Sequence, residues 1–302
     1  MALLVAGIVL AASCGGSDRD NRAGGESRTP APSSSVVPGP PGSYQVAELT
    51  ETFVDDSRPT VSPDGQVNEH TRTLVTTILH PTAKGPFPLI VLAHGQTGHP
   101  SKMSQLMQAW ASAGYVVAAP VFPLTSNQSP TFAVGDYQHQ PADVSFVIDE
   151  LLAAGDGPLA GLVDDERIGV AGLSLGGATV YGLAFHSCCR DARVDAVLVM
   201  AGLLLPFDGT YEFPSIPLLV ISGNGDGSGR ELYSMGSPPK HLVTIERPIH
   251  SPPFEDTQDP ADGLVTTVTV EFWRAYLYEQ AGALDALAAA VVPGTATLEE
   301  ER

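Results

Sequence analysis

Three side chains in the second half of the chain, Ser174, Asp226 and His250, are of the types that together make an activated hydroxyl nucleophile. Ser174 stands in Gly172-Leu173-Ser174-Leu175-Gly176. An apolar run at 168–171 precedes it, as a buried parallel strand requires. A stretch at 178–185 follows, with Val180, Leu183 and Ala184 placed as on one helix face. This is the G-x-S-x-G pattern of a sharp strand-to-helix turn, where only small neighbours avoid collision. The turn lifts the serine hydroxyl above the sheet edge, and the helix N-terminus behind it favours developing negative charge.

A serine hydroxyl at neutral pH needs a base, a carboxylate to orient that base, and donors for the oxyanion. The apolar strand 218–221 runs into Ser222-Gly223-Asn224-Gly225-Asp226, which puts Asp226 at the sheet edge that carries the elbow. Asp208, beyond the preceding strand, is the second candidate for the acid. The base is read as His250, in the loop Arg247-Pro248-Ile249-His250-Ser251-Pro252 after a strand at 241–246. His241 opens that strand and faces the opposite edge, and His186 ends the elbow helix. Two backbone N–H groups are expected to hold the oxyanion, those of Leu175 and of Gln96 in His94-Gly95-Gln96-Thr97-Gly98. His94 reads as a structural side chain of that loop.

The elements that must position these residues follow from the apolar pattern. Strands are expected at 44–54, 72–80, 87–93, 115–119, 168–171, 194–200, 217–222 and 241–246. Ser62-Pro63-Asp64-Gly65 marks a turn between the first two. Helices are expected at 102–113, 141–153, 178–185 and 268–278. Strands alternating with helices imply an α/β fold, a mostly parallel doubly wound sheet of about eight strands. The stretch 201–216 has room only for a loop, so no cap domain is expected and the site should be open.

Of 302 residues, 43% are hydrophobic and 16% charged, which fits a sizeable core. The formal charge of −19 argues against nucleic acid and anionic membrane surfaces as partners. Residues 1–12 are apolar throughout, too short to span a bilayer and of signal-peptide length. They lead into Leu10-Ala11-Ala12-Ser13-Cys14-Gly15, which resembles a bacterial lipobox with Cys14 as the lipidated residue. The reading is therefore an exported protein, attached to a membrane through Cys14 or secreted after a plain signal cleavage. Residues 15–43, rich in Gly, Ser, Pro and Arg, read as a disordered linker, 44–285 as the catalytic domain and 286–302 as a C-terminal tail. Cys188 and Cys189 are adjacent, and read either as a vicinal disulfide or as buried thiols. No metal and no cofactor is called for by the pattern.

The order of His-Gly loop, Pro141-Ala142-Asp143-Val144 helix, G-x-S-x-G-G, G-x-x-D and final His resembles the α/β-hydrolase superfamily. Within it, residues 44–285 are most similar to the dienelactone hydrolase and platelet-activating-factor acetylhydrolase-like group of secreted bacterial esterases. The resemblance implies a triad of Ser174, Asp226 and His250. Dienelactone hydrolase proper carries a cysteine nucleophile, so Ser174 points toward esters. Polyester hydrolases are also similar, but they usually have His where Leu173 stands and a Trp that Ala201-Gly202-Leu203-Leu204-Leu205 lacks. The implied activity is a serine carboxylic ester hydrolase acting on small-molecule esters with short acyl groups. Polyester hydrolysis, acyl transfer on the same triad and a catalytically silent surface-binding lipoprotein are the competing readings. For short acyl groups, Leu203 to Phe207 and Phe254 are the expected cleft lining.

Overall fold

A computed structural model describes residues 36–302, apart from Pro63. The apolar leader, Cys14 and the linker up to residue 35 lie outside the described residues.

The continuous apolar runs become the centre of the sheet. β5 (Phe87–Ala93) is buried at every position and pairs in parallel with β6 (Val116–Pro120) and β7 (Val163–Leu173). The parallel series continues through β8 (Val194–Met200), β9 (Leu218–Gly223) and β10 (Lys240–Ile245). At one edge β4 (Arg72–Pro81) runs antiparallel to β6, and β1 (Val46–Asp55) antiparallel to β4. The other edge is β11 (Ala296–Glu301), antiparallel to β10. The sheet thus has nine strands in the order β1-β4-β6-β5-β7-β8-β9-β10-β11. A short hairpin, β2 (Thr60–Val61) with β3 (Val67–Glu69), surrounds the expected 62–65 turn.

Because strand side chains alternate between faces, each central strand feeds two cores. Ile90, Leu92, Leu219 and Ile221 pack with Trp110 of α1 (Ser104–Ala113), Trp273 of α5 (Asp262–Leu277) and Leu287 of α6 (Ala283–Ala290). Leu89, Val91, Leu218 and Val220 face Val144 of α2 (Gln140–Ala153), Val180 of α3 (Leu175–Phe185) and Leu232 of α4 (Gly227–Met235). Helices on both faces of a mostly parallel sheet are the doubly wound architecture that the alternation implied, and they fit the α/β-hydrolase fold that the resemblance implied. No helix among the described residues is long and apolar enough to cross a membrane.

Two boundaries differ from the sequence reading. Residues 286–302 are no tail: they include the end of α6 and all of β11. Ala296-Thr297-Leu298-Glu299-Glu300-Glu301 carries too little apolar alternation to read as a strand, and cross-strand charge holds it in place. Lys240 Nζ lies 3.2 Å from Glu301, and His241 Nδ1 lies 3.2 Å from Glu300. The end of the linker is also anchored, with Gly39 N–H on Ala113 O at 3.0 Å and Gly42 N–H on Ser112 Oγ at 2.8 Å. β10 points His241 into the core at the edge away from the elbow, where Tyr276 is hydrogen-bonded to its Nε2 at 2.7 Å.

A buried ion network fastens β4 to the start of α2. Arg72 is fully buried and donates to Asp143 through Nε at 2.7 Å and to Asp136 through Nη1 at 2.9 Å. Arg58 adds a second cation on Asp143 at 2.9 Å. Burial raises the Asp143 pKa, and these guanidinium groups oppose the rise in part. Removing Arg72 would leave the buried Asp136 and Asp143 without the cation they share.

Candidate active site

The parallel register brings the chemistry-bearing loops together. Ala93 at the end of β5 lies opposite Gly172 on β7, Leu173 opposite Met200, Met200 opposite Ile221, and Gly223 opposite Ile245. All these strand ends share the C-terminal edge of the sheet, where ligands bind in open α/β folds.

Ser174 sits between β7 and α3 with φ 54° and ψ −113°. This backbone is unfavourable for a residue with a Cβ, costing on the order of 1–3 kcal/mol, and its surroundings enforce it. A Cβ on Gly172 would run into the Gly176 carbonyl, and one on Gly176 into the Ala93 carbonyl. Both positions of the motif are therefore fixed by close approach of backbone. Ser174 Oγ lies 2.9 Å from His250 Nε2. The serine is largely buried, whereas His250 is exposed, so solvent reaches the pair from the histidine side.

His250 is held by the turn that follows it. Phe254 N–H and Glu255 N–H both donate to Ser251 O, at 2.8 and 3.1 Å. Phe254 is buried in the core and anchors the turn, so it does not line the cleft as the sequence suggested. Asp256 accepts the N–H groups of Ser104 and Gln105 at the start of α1, each at 3.1 Å. Its own N–H donates to Lys102 O at 2.7 Å, and Lys102 Nζ reaches Thr97 O at 3.0 Å. The histidine loop is thereby tied to the loop that carries Gln96.

Asp226 lies just beyond β9, where its Oδ1 caps α4 by accepting Ser228 N–H at 3.0 Å. In this structure it makes no hydrogen bond to His250. Its loop nevertheless abuts the histidine loop. Asn224 N–H donates to Ile245 O at 2.8 Å, and a Cβ on Gly223 would stand 2.6 Å from Ile249 N. Asp208 is elsewhere: it is exposed, and its charge acts on His186.

Leu175 is the first residue of α3, where backbone N–H groups have no partner within the helix. Among the described residues, neither its N–H nor that of Gln96 donates to a protein acceptor. The Gln96 loop is rigid. Thr97 holds φ 54°, and its N–H donates to Thr125 O at 2.8 Å. His94 is buried, and its Nε2 accepts Phe122 N–H at 3.0 Å. The ring proton therefore sits on Nδ1, which donates to Gly95 O at 2.8 Å. Burial pushes the His94 pKa down to about 4, which keeps this neutral tautomer in place at neutral pH. His94 is thus a structural side chain.

A cleft of about 300 Å³ opens over the serine, lined by Gln96, Thr97, Leu173, Ser174, His250 and Glu255 among others. Glu255, half-buried in its loop, was not read from the sequence, since nothing in its local pattern distinguishes it. The 201–216 connection holds no helix and no strand among the described residues, and it builds no cap. Nor does it line the cleft: Phe207 packs on His186 and Tyr137 instead. The two cysteines are joined as a vicinal disulfide, with His186 beside them.

The fold and the serine–histidine pair at its C-terminal edge define the α/β-hydrolase class. Within that class, the family model for chlorophyllase matches residues 46–213, more than half of the chain. The chain belongs to the chlorophyllase family, a family of ester hydrolases on this fold. The match takes in Gln96, Ser174 and Leu175 and ends before Asp226 and His250. No curated protein matches the chain.

Proposed function

We propose that this protein is a serine carboxylic ester hydrolase acting through an acyl-enzyme on Ser174. The observation that carries the reading is the 2.9 Å contact between Ser174 Oγ and His250 Nε2 at a strained elbow. His250 takes the Ser174 proton as the oxygen attacks the ester carbonyl. The N–H groups of Gln96 and Leu175 hold the oxyanion that forms. His250 then protonates the departing alcohol, and water, deprotonated by the same imidazole, releases the acid. Asp226, whose loop touches the histidine loop, is the carboxylate assigned to orient His250 through Nδ1.

The substrate class follows from the cleft. At about 300 Å³ it stands at the lower end of small-ligand sites, and no cap among the described residues covers it. A long acyl chain would leave most of its methylenes in water and forgo roughly 0.8 kcal/mol for each. Esters with short acyl groups, about two to eight carbons, are therefore the expected substrates. Measured over p-nitrophenyl esters of increasing length, kcat/KM should peak within that range and show no jump above substrate solubility. A steady climb to long chains would contradict it.

We further infer export and lipidation at Cys14, on the sequence of the leader alone. The full-length wild type should partition into a Triton X-114 detergent phase and Cys14→Ser should not. Equal partitioning of the two would refute lipidation.

A further inference from the structure

Two oxyanion donors act together only if their separation is fixed to within a few tenths of an ångström. Here they come from different elements, Leu175 from α3 and Gln96 from the loop after β5. Backbone packing brings the two elements into contact, but no direct hydrogen bond joins the Gln96 loop to α3.

One buried side chain bonds to both sides. Gln140, the first residue of α2, has no exposed surface. Its Nε2 donates to Thr125 Oγ1 at 2.7 Å, and its Oε1 accepts from Thr179 Oγ1 at 2.6 Å. Both threonines are also fully buried. Thr179 lies on α3 one turn beyond Leu175, and its hydroxyl is shared with Leu175 O at 3.1 Å. Thr125 belongs to the segment that cradles the Gln96 loop. That cradle includes Thr97 N–H on Thr125 O at 2.8 Å and Asn127 N–H on Gly98 O at 3.1 Å. A continuous bonded path therefore runs Leu175, Thr179, Gln140, Thr125, Thr97, and ends beside Gln96. Bonds among fully buried groups strengthen one another and hold such a network in one arrangement.

We propose that Gln140 is a positioning residue for the oxyanion site, setting the distance between the Gln96 and Leu175 N–H groups. The proposal rests on the serine hydrolase reading above. The Arg72 network serves it, since it clamps Asp136 and Asp143 on either side of Gln140 to β4.

The test is steady-state kinetics on a p-nitrophenyl ester together with thermal melting. Gln140→Met should lower kcat by about 10- to 100-fold with KM changed less than about threefold. Loss of one whole oxyanion donor costs about 10²–10³, and a misplaced donor less. The same variant takes the Gln140 amide from the buried Thr125 hydroxyl and leaves that of Thr179 to Leu175 O alone, and should melt lower. Combining it with Thr125→Val and Thr179→Val replaces all three groups by apolar ones, which restores stability but not the tie. The triple variant should melt near wild type and stay slow. Thr125→Val alone, a small isosteric change, should already lower kcat about three- to tenfold and covers the case of a triple variant that does not fold. Recovery of kcat along with stability would make Gln140 a merely structural residue and overturn the proposal. So would a Gln140→Met variant that keeps kcat within threefold, or one that alters KM alone. Fluorophosphonate labelling of the wild type separates the two levels: an unlabelled, inactive wild type overturns the serine hydrolase reading itself, and this proposal with it.

Discussion

Ser174→Ala should remove ester hydrolysis by about four to six orders of magnitude in kcat while leaving the protein folded. The large effect follows from the unit in which Ser174 acts. Without its hydroxyl no nucleophile of the protein and no acyl-enzyme remain, so only direct attack by water, assisted by binding and the oxyanion donors, is left. The small structural effect follows from the elbow. Alanine keeps the Cβ, and thus bears the same positive φ already imposed at this position by the packing of Gly172 and Gly176. The substitution removes the 2.9 Å hydrogen bond to the exposed His250, and stability should change by about 1 kcal/mol. The check is kcat/KM for p-nitrophenyl acetate, with mass spectrometry of the fluorophosphonate adduct. A purified variant that keeps more than about 1% of wild-type activity, or that still takes one adduct, would move the nucleophile elsewhere.

Asp226→Asn should cost about four orders of magnitude in kcat. An amide at this position no longer favours the Nδ1–H tautomer of His250 nor stabilises the imidazolium that forms as Ser174 attacks. Folding should be spared, because Asp226 caps α4 and asparagine caps a helix as well as aspartate does. On the proposed reading the substitution thus separates catalysis from structure, since only the helix cap is kept. Two companion variants make the result decisive. Asp208→Asn should leave kcat within about threefold, since Asp208 lies by His186. Glu255→Gln probes the other carboxylate of the cleft. If that change were crippling and Asp226→Asn mild, the acid would be Glu255.

The order of the central strands and helices was legible because each is written in a local pattern. The apolar runs of β5, β8 and β9 read as buried strands, and their observed bounds lie within about one residue of expectation. α4 is not legible in the same way, because it opens Gly227-Ser228-Gly229, a poor helical sequence that forms behind the Asp226 cap. Nor is β11, because its side-chain partners are polar groups on neighbouring elements, Lys240, His241 and Arg230 among them, and periodicity within the strand says nothing of them. The expected cleft lining failed for a related reason. Phe254 and Phe207 look alike as apolar loop residues, and only their neighbours decide that both turn away from the cleft.

By itself the sequence determined the elbow, the strand ends that carry Asp226 and His250, and the His94-to-Gly98 loop. These are short-range consequences of steric fit and burial: a sharp turn demands glycine, and a buried strand demands an apolar run. Only the tertiary structure decided the contacts among them. Ser174 and His250 stand 76 residues apart, and their bond depends on the pairing of four successive parallel strands, β7 to β10. The same holds for the carboxylate of Asp226, which caps α4 rather than bonding His250 in this state. It holds most of all for Gln140, which looks like any polar residue before Pro141 until two buried threonines from different segments close on its amide.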